Sequence, residues 1–374
     1  MKTISNIRKL GLAGLLALGS GCAERENTAQ QPKHCTDNVV ALGDYADHLD
    51  IVVNENQKLG DERETLTDYA DYDFPSLLKG SKFGNTDVNQ WLHFTDQAAN
   101  AGQVIASNED SKTRTVTYGQ NGHSLFFKKG DPIFNLEVEM EGGFMSNVDS
   151  NGNLTDIIGQ NLNVLGDQYR ILKAKTDNVG LDLTMVTGAF KTQDSSNTVK
   201  HTIAGKDYTV VVQSASQSTN QAEYKVNGEA TGTLNPGDMF TLSDGTIITH
   251  ASVKANGTAT DVEYALPARV LNWIDGAMTD NQFDTSKSPK HDGKTIEDAL
   301  VRIRGQWVNG KLEIQKVDYR LNADGKSGDV NVGRGETLRE LLDEPEGLAS
   351  LKFDLSYAGQ REDCRHVVRV IEQK

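Results

Sequence analysis

The stretch Asp149–Asp156 has residue types that could bind a hard cation. Its oxygen-bearing candidates are Asp149, Asn151, Asn153 and Asp156. Closely spaced carboxylate and amide oxygens are the arrangement by which a tight loop wraps calcium. An EF-hand loop needs glycine at its sixth place and glutamate at its twelfth, whereas here glycine is fourth and Gln160 is twelfth. Two interpretations stay open, a calcium site or a turn rich in Asn and Asp.

The cysteines are the next candidates. Cys22 follows small residues that end the apolar run Leu10–Leu18, and this resembles a lipobox, whose cysteine thiol accepts diacylglycerol. If lipid consumes Cys22, then Cys35 and Cys364 remain as an even pair, and a disulfide is their simplest use in an oxidising compartment. The alternatives are free thiols or a zinc site completed by flanking histidines, which are His34 and His366.

Motifs typical of catalysis do not stand out. Asp324–Ser327 ends in Gly-Lys-Ser, but Arg320 stands where a phosphate loop needs glycine, so a turn is expected. No Gly-x-Ser-x-Gly or His-Glu-x-x-His motif follows the leader. The histidines are scattered, which favours packing or surface roles over a catalytic base. They are His48, His93, His123, His201, His250 and His291. We therefore predict a protein that is not an enzyme and that has no cofactor other than calcium.

The beginning of the chain indicates export. Lys2, Arg8 and Lys9 form a basic region ahead of the apolar run, as in a secretory signal. The run is about half of the roughly 20 residues that a membrane-spanning helix needs. Either the chain is held at the membrane by lipid on Cys22, or an ordinary signal peptide is cut near that residue. Both alternatives predict an extracellular, cell-surface location.

Composition limits the choice of partner. The 374 residues carry a net charge of -15, and such an acidic surface repels a phosphate backbone, which argues against nucleic acid. Two glycosylation sequons begin at Asn153 and Asn256, and they suit a surface protein. A glycan on Asn153 would compete with its use as a calcium ligand.

Short alternating segments bounded by Gly, Asn and Asp extend over most of the chain, a pattern typical of antiparallel strands. Clear examples are 113–118, 134–140, 300–304, 311–319 and 352–357. One helix is predicted at Glu336–Leu342, ended by Pro345 and Gly347. The fold class is therefore mainly β.

A repeat of about 40 residues indicates a copied supersecondary unit. Gly166, Gly205 and Gly245 mark equivalent turns, and 185–188 corresponds to 225–228 at the same offset. Glycine fits because a two-residue hairpin loop needs positive φ. Three such units would suit a β-trefoil, but their three-stranded look favours antiparallel hairpins in β-sandwich-like domains.

Several segments together resemble the β-rich domain of archaeal S-layer proteins, as found in small-genome lineages. They are 130–134, 154–156, 205–210, 224–229, 242–246, 262–264 and 333–347. The resemblance covers roughly residues 86–360, and it implies a structural role in the envelope. The short N-terminal portion departs from the family pattern, so the chain is expected either to form the lattice or to be an accessory lipoprotein.

The predicted organisation has five parts. They are a signal peptide (1–22), a tether (23–35), a small mixed α/β segment (36–85), the repeated β region (86–266) and a C-terminal β domain with one helix (267–374). The expected partners are copies of the chain or other envelope proteins, with the membrane reached through the lipid. The alternative is a solute-binding, carbohydrate-binding or adhesive lipoprotein, in which Trp91, Trp273 and Trp307 would line a sugar site.

Overall fold

The alternating segments fold as antiparallel β-strands, and the predicted mainly β class is confirmed. The structure is a computed structural model that describes residues 48–54, 59, 68–69, 74–94, 102–106, 123–278, 280–361 and 363–373. All of these residues fall in a single compact unit. The predicted signal, the tether and the strand at 113–118 lie outside the described residues. No helix in the described ranges is long and apolar enough to cross a bilayer.

The strands alternate inward-facing apolar with outward-facing polar side chains, as the period of two requires. The first twelve are β1 His48–Val53, β2 Asp68–Tyr69, β3 Ser81–Phe83, β4 Thr86–His93, β5 Gln103–Ala106, β6 His123–Phe127, β7 Pro132–Ser146, β8 Asn161–Val164, β9 Asp167–Thr176, β10 Leu181–Asp194, β11 Thr198–Ile203 and β12 Lys206–Ser216. The others are β13 Gln221–Val226, β14 Glu229–Leu234, β15 Met239–Thr241, β16 Ile247–Asn256, β17 Ala259–Asp275, β18 Lys290–His291, β19 Lys294–Thr295, β20 Ala299–Val308, β21 Lys311–Asn322, β22 Val330–Val332, β23 Phe353–Gln360 and β24 His366–Glu372.

The predicted helix is present but shorter. Helix α1 is Leu338–Leu341, and the Glu340 carboxylate accepts a hydrogen bond from the backbone N–H of Thr337 at 3.3 Å, as in a capping box. Pro345 and Gly347, predicted to end the helix, instead belong to a 3₁₀ turn at Pro345–Leu348. Proline fits there because its fixed φ suits the first turn of a helix.

The described strands form five sheets. One has the order β2-β4-β7-β21-β20, with β3 paired to β4. A larger one has the order β15-β16-β17-β10-β9-β8, with β18 and β19 beside β17. The others are β11-β12-β13-β14, β22-β6-β5 and β1-β24-β23. In the last, Arg369 on β24 bonds to Asp50 on β1 at 2.9 Å, so strands from opposite ends of the described chain meet.

The sheets do not separate at the predicted domain boundaries. Strand β17 has 17 residues and continues through the boundary predicted between residues 266 and 267. The boundary predicted between residues 85 and 86 falls in the tight hairpin turn from β3 to β4. The repeated β region and the C-terminal β domain therefore share a sheet.

Most of the apolar interior forms one cluster, which we call the large core. It draws on most strands outside the four-stranded sheet, and one of its centres is Trp273, stacked on Tyr319 with ring centroids 5.5 Å apart. Phe134 and Phe353 meet edge to face at 5.0 Å. Both arrangements are favourable geometries for aromatic pairs. Tyr319 also donates its hydroxyl to the Gly347 carbonyl at 2.6 Å, which ties the 3₁₀ turn to the sheet.

A second cluster, which we call the small core, lies between the four-stranded sheet and the adjoining parts of β16 and β17. Its members are Tyr208, Val210, Val212, Ala222, Tyr224, Val226, Leu234, Leu242, Ile248, Val253, Val262, Tyr264 and Leu266. Strand β17 supplies residues to both cores, and β10 pairs with it along most of its length. Where they pair near Gly188, the register shifts, and a side chain on Gly188 would lie 2.2 Å from the Pro267 carbonyl oxygen. The glycine permits this close approach of two backbones.

The predicted turns are present, and each lies in a three-stranded unit of the predicted kind. Gly166, Gly205 and Gly245 all lie in turns between paired strands, with φ of 86°, 79° and 85°. The first and third turns belong to the larger sheet, whereas the second belongs to the four-stranded sheet. Residues 185–188 lie inside β10, whereas 225–228 end β13 and enter a turn. Each turn joins the first two strands of a three-stranded antiparallel unit, and these units are β8-β9-β10, β11-β12-β13 and β15-β16-β17. The first and third units share one sheet through β10 and β17, whereas the second lies in another sheet, so the arrangement of a β-trefoil does not arise.

Candidate binding cleft

An open cleft of about 700 Å³ lies against a third, smaller apolar cluster, which supplies Leu172 and Ala251 to its lining. Its walls come from three strands, β9, β16 and β17, and from three loop segments, which are 149–159, the hairpin turn at Thr219 and Asn220, and the loop at Asn235 and Pro236. This volume is in the range of about 300–1,000 Å³ that is usual for ligand sites. The cleft is thus built from segments that are distant in sequence.

Strand β9 places three cations along the cleft, namely Arg170, Lys173 and Lys175. Residues two apart on a strand point to the same side. Arg170 and Lys173 are three apart, but the pairing of β9 with β10 shifts register between them. The extra residue on β9 turns Lys173 back to the side of the sheet that Arg170 faces. All three side chains therefore line the same cleft. Lys254 on β16 supplies a fourth cation.

Arg170 is held in a defined position. Its guanidinium donates to Glu263 on β17 at 2.7 Å and lies over the Phe190 ring, 3.8 Å from the centroid. Ser252 donates to the second oxygen of Glu263 at 3.2 Å. An arginine stacked on a ring and paired with a carboxylate loses little further freedom when it meets a ligand.

The other cations differ in their pairing. Lys173 contacts Asp182 at 3.4 Å. Lys175 and Lys254 are exposed, and neither has an ion pair within the described part of the chain. The acidic residues opposite them in register bond elsewhere, Asp182 to Lys173 and Asp261 to Asn256 at 2.8 Å. Four cations and two carboxylates, those of Asp149 and Glu263, line the cleft, so its lining is positive.

The loop predicted to bind calcium forms one wall of the cleft. Asp149 accepts hydrogen bonds from the backbone of Asn151 and Asn153 and from the Asn153 amide, at 2.8 to 2.9 Å. These bonds, with the Asn153 amide first, lower the pKa of Asp149. Asp156 accepts from Asn147, at 2.6 Å from its backbone and 2.7 Å from its side chain. These contacts are typical of an Asx turn, the alternative interpretation, and calcium binding stays a prediction.

The two sequons differ in accessibility. Asn153 is half-buried, and its amide nitrogen, the atom a glycan would modify, donates to Asp149. Asn256 is exposed at the turn between β16 and β17. Its amide donates to the half-buried Asp261 at 2.8 Å. Of the two predicted sites, Asn256 is the better placed for modification.

Of the cysteines, only Cys364 lies in the described residues. It occupies the turn between β23 and β24 with φ of 65°, and its carbonyl accepts a bond from Gln360 at 3.0 Å. Cys22, Cys35 and His34 lie outside the described residues. His366 is buried, with Nδ1 2.8 Å from the Tyr357 hydroxyl. The lipid, the disulfide and the rival zinc site stay predictions.

Two of the scattered histidines meet tyrosines of the small core. His250 Nε2 donates to the Asn220 carbonyl at 3.1 Å, so Nδ1 accepts from the Tyr224 hydroxyl at 2.7 Å. His201 Nε2 lies 2.7 Å from the Tyr264 hydroxyl, which donates to Gln193 at 2.6 Å. Burial lowers the pKa of both histidines. The sequence suggested packing roles but carried no signal for these pairings.

The three tryptophans predicted for a sugar site lie on different strands, with Trp91 half-buried on β4. Trp273 is fully buried, whereas Trp307 is 39% exposed near the end of β20 and points its indole nitrogen at the Asn178 carbonyl. The segment 325–328 is a turn, as predicted, and the Lys326 ammonium donates to the Glu340 carbonyl at 2.7 Å. Among the described residues, no group of three or more His, Cys, Asp or Glu is arranged to hold a metal.

No protein-family model matches this chain, and no curated protein is significantly similar to it. The resemblance to archaeal S-layer proteins therefore stays a prediction.

Proposed function

We propose that this chain is a non-catalytic structural protein of the cell surface, either part of an S-layer or associated with one. The observation that carries the proposal is the continuity of β17, whose 17 residues supply side chains to both cores and which pairs along most of its length with the 14-residue β10. Force applied to either region would be shared by paired strands rather than by a linker. Such continuity suits a protein whose role is mechanical.

The four-stranded sheet supports self-association as the mode of assembly. Its outer strands, β11 and β14, each pair with one neighbour among the described strands. An edge strand presents backbone donors and acceptors that another chain can pair with. Strand β11 alternates exposed Thr198, Lys200 and Thr202 with half-buried residues, so it is polar as well as open-edged. A second copy of the chain would meet a surface that pairs through its backbone.

The N-terminal sequence supports anchoring by lipid on Cys22. Two acyl chains bind a membrane stably where one is marginal, because each buried methylene contributes about 0.8 kcal/mol. Cys22→Ser should move the protein from the detergent phase to the medium, with Cys364→Ser as the matched control. A Cys22→Ser protein that stays with the membrane would contradict the anchor.

The disulfide between Cys35 and Cys364 belongs to the same proposal. It would join the tether to the turn between β23 and β24, so that the anchor and the C-terminal strands lie together. Mass mapping of the unreduced protein should find the two cysteine peptides linked. Two alkylatable thiols in protein taken from intact cells would contradict the pairing.

Electron microscopy of isolated envelopes tests the structural role. Antibody label against this chain should follow an ordered array, and the purified protein should self-associate as its concentration rises. Adding three lysines to the open edge, by Thr198→Lys, Val199→Lys and Thr202→Lys, should oppose association, since edge lysines block strand pairing. Scattered label together with a monomer at all concentrations would overturn the proposal.

The second candidate function is a binding module, and the cleft beside β9 is the observation that favours it. Its cations, its held arginine and its volume suit a ligand, whereas a purely structural role would not need them. Both functions are compatible with one chain, because the cleft and the open edge strands use different residues.

A further inference from the structure

The cleft concentrates positive charge in a chain whose net charge is -15. At physiological ionic strength the Debye length is about 8 Å, so exposed charges farther away than this contribute little to a ligand in the cleft. The nearest charges decide the field there. They include Lys175 and Lys254, which have no ion pair within the described residues, while both lining carboxylates accept hydrogen bonds from neighbouring groups. The cleft therefore attracts a ligand with negative charge.

The neutral part of the lining points to a ligand rich in hydroxyl groups. Hydroxyl and amide side chains surround the cations, namely Asn153, Thr155, Thr219, Asn220, Asn235 and Ser252. Several are held in place by bonds to the protein. The Asn235 amide, for example, donates to Asp238 at 2.7 Å and accepts from Gln221 at 2.9 Å. Polar groups that are already oriented lose less entropy on binding.

We propose that this cleft binds an acidic oligosaccharide, a short chain of sugars that bear carboxylates. Arg170, Lys175 and Lys254 are the residues that meet the carboxylates, and the hydroxyl and amide side chains meet the sugar hydroxyls. The inference rests on the second candidate function, binding at the cleft, and is independent of the structural role in the envelope.

The backbone argues against an acidic peptide as the ligand. Strand β9, which carries three of the four cations, is bonded along both sides, to β10 on one side and to β8 and the loop at 152–160 on the other. Its backbone groups are therefore largely committed, which opposes the addition of an extended peptide to β9 as another strand. On that side of the cleft the ligand meets side chains. This suits a sugar, which binds through hydroxyl and carboxylate groups, better than a peptide.

Calorimetric titration of the full chain with a tetramer of galacturonic acid tests the inference. Binding should weaken as salt is raised, because exposed charges make the contacts. The double variant Lys175→Gln, Lys254→Gln should bind about tenfold more weakly, a loss of about 1.4 kcal/mol, since two exposed ionic contacts are removed. The matched control is Lys225→Gln, Lys311→Gln, which changes two exposed lysines outside the cleft and should bind as the parent does.

The comparison ligands separate the ways in which the inference could fail. A galactose tetramer should bind at least tenfold more weakly than the acidic one, and equal binding would overturn the acidic ligand while supporting a sugar-binding module. Tetraglutamate that binds as tightly as the acidic sugar would overturn the carbohydrate assignment. Absence of binding by all three would overturn this inference and the binding module together. None of these outcomes bears on ordered label in the envelope, which tests the structural role.

Discussion

The large core and the small core bury tyrosines in different ways. In the large core, the fully buried Tyr169 and Tyr319 donate to backbone carbonyls at 3.2 and 2.6 Å, and of its described tyrosines only Tyr357 meets a histidine, His366, at 2.8 Å. In the small core, Tyr224 and Tyr264 meet the side chains of histidines at 2.7 Å. A small cluster buries less apolar surface, and a satisfied side-chain network adds rigidity and specificity that area alone does not provide. The stability of the small core then depends on protonation, because histidine titrates near neutral pH.

The strongest way to break the large core is Trp273→Ala. Trp273 is fully buried and stacked on Tyr319, so the change leaves a cavity and should lower the free energy of unfolding by about 3–5 kcal/mol. Urea denaturation measures the loss. Trp307→Ala is the matched control, because that side chain is exposed, and it should cost about 0.5 kcal/mol or less. Similar losses in the two variants would contradict the assignment of Trp273 to the core.

The small core should be most sensitive to Tyr224→Phe. Shape is kept, but buried Nδ1 of His250 loses its donor, which should cost about 1–3 kcal/mol in urea denaturation. Tyr208→Phe is the comparison within the same core. Its hydroxyl bonds to Asp244 and Thr246, which are nearer the solvent, so the loss should be smaller. An equal or larger loss in Tyr208→Phe would remove the special role of the Tyr224 and His250 pair.

Acid should weaken the small core through its histidines. Burial lowers the folded pKa of His250 and His201 below the ordinary 6.5, so below that pH the unfolded chain binds protons that the folded chain does not. Stability is therefore complete above about pH 6.5 and falls as the pH drops through it. Burial also lowers the pKa of His291, which lies on β18 outside the small core.

Urea denaturation at about pH 7.5 and about pH 5.5 would measure the effect on both sides of the histidine range. His250→Gln keeps a side chain that can hydrogen-bond but removes one titrating group, so its stability should depend less steeply on pH. A variant with the parent's pH dependence would show that His250 does not supply the loss.

The smallest effect is expected at the hairpin turn from β11 to β12. Gly205 has φ of 79° and open space around it, so Gly205→Ala should cost only backbone strain, about 1–2 kcal/mol. Ala204 precedes it with φ of 48°, so Ala204→Gly should relieve strain and raise the melting temperature slightly. Unchanged melting temperatures in both variants would contradict the importance of positive φ in this turn.

Much of the local structure could be predicted from the sequence. The alternation at 134–140, 300–304 and 311–319 predicted strands that the structure contains in β7, β20 and β21. The turn glycines and the short helix near Glu336 were also predicted correctly. Each depends on residues within a few positions, through side-chain period, positive φ or capping.

The candidate cleft could not be predicted in this way. The stretch at 149–156 has a recognisable pattern of carboxylate and amide residues. The cations on β9, which are Arg170, Lys173 and Lys175, belong to no recognisable motif. Their alignment depends on a register shift against β10, and their opposite wall comes from the much later residues 219–263. Spacing along one strand does not reveal which surface will face it.

The sequence by itself therefore determined the fold class, the positions of strands and turns, the acidic net charge and the predicted export signal, because these follow from composition and near neighbours. Tertiary structure alone decided which strands pair, as when β1 meets β24, and that β17 continues through the predicted boundary at 266 and 267. It also decided that His250 and His201 meet buried tyrosines. These outcomes depend on how all buried faces pack together, and no local pattern specifies the partner of a strand.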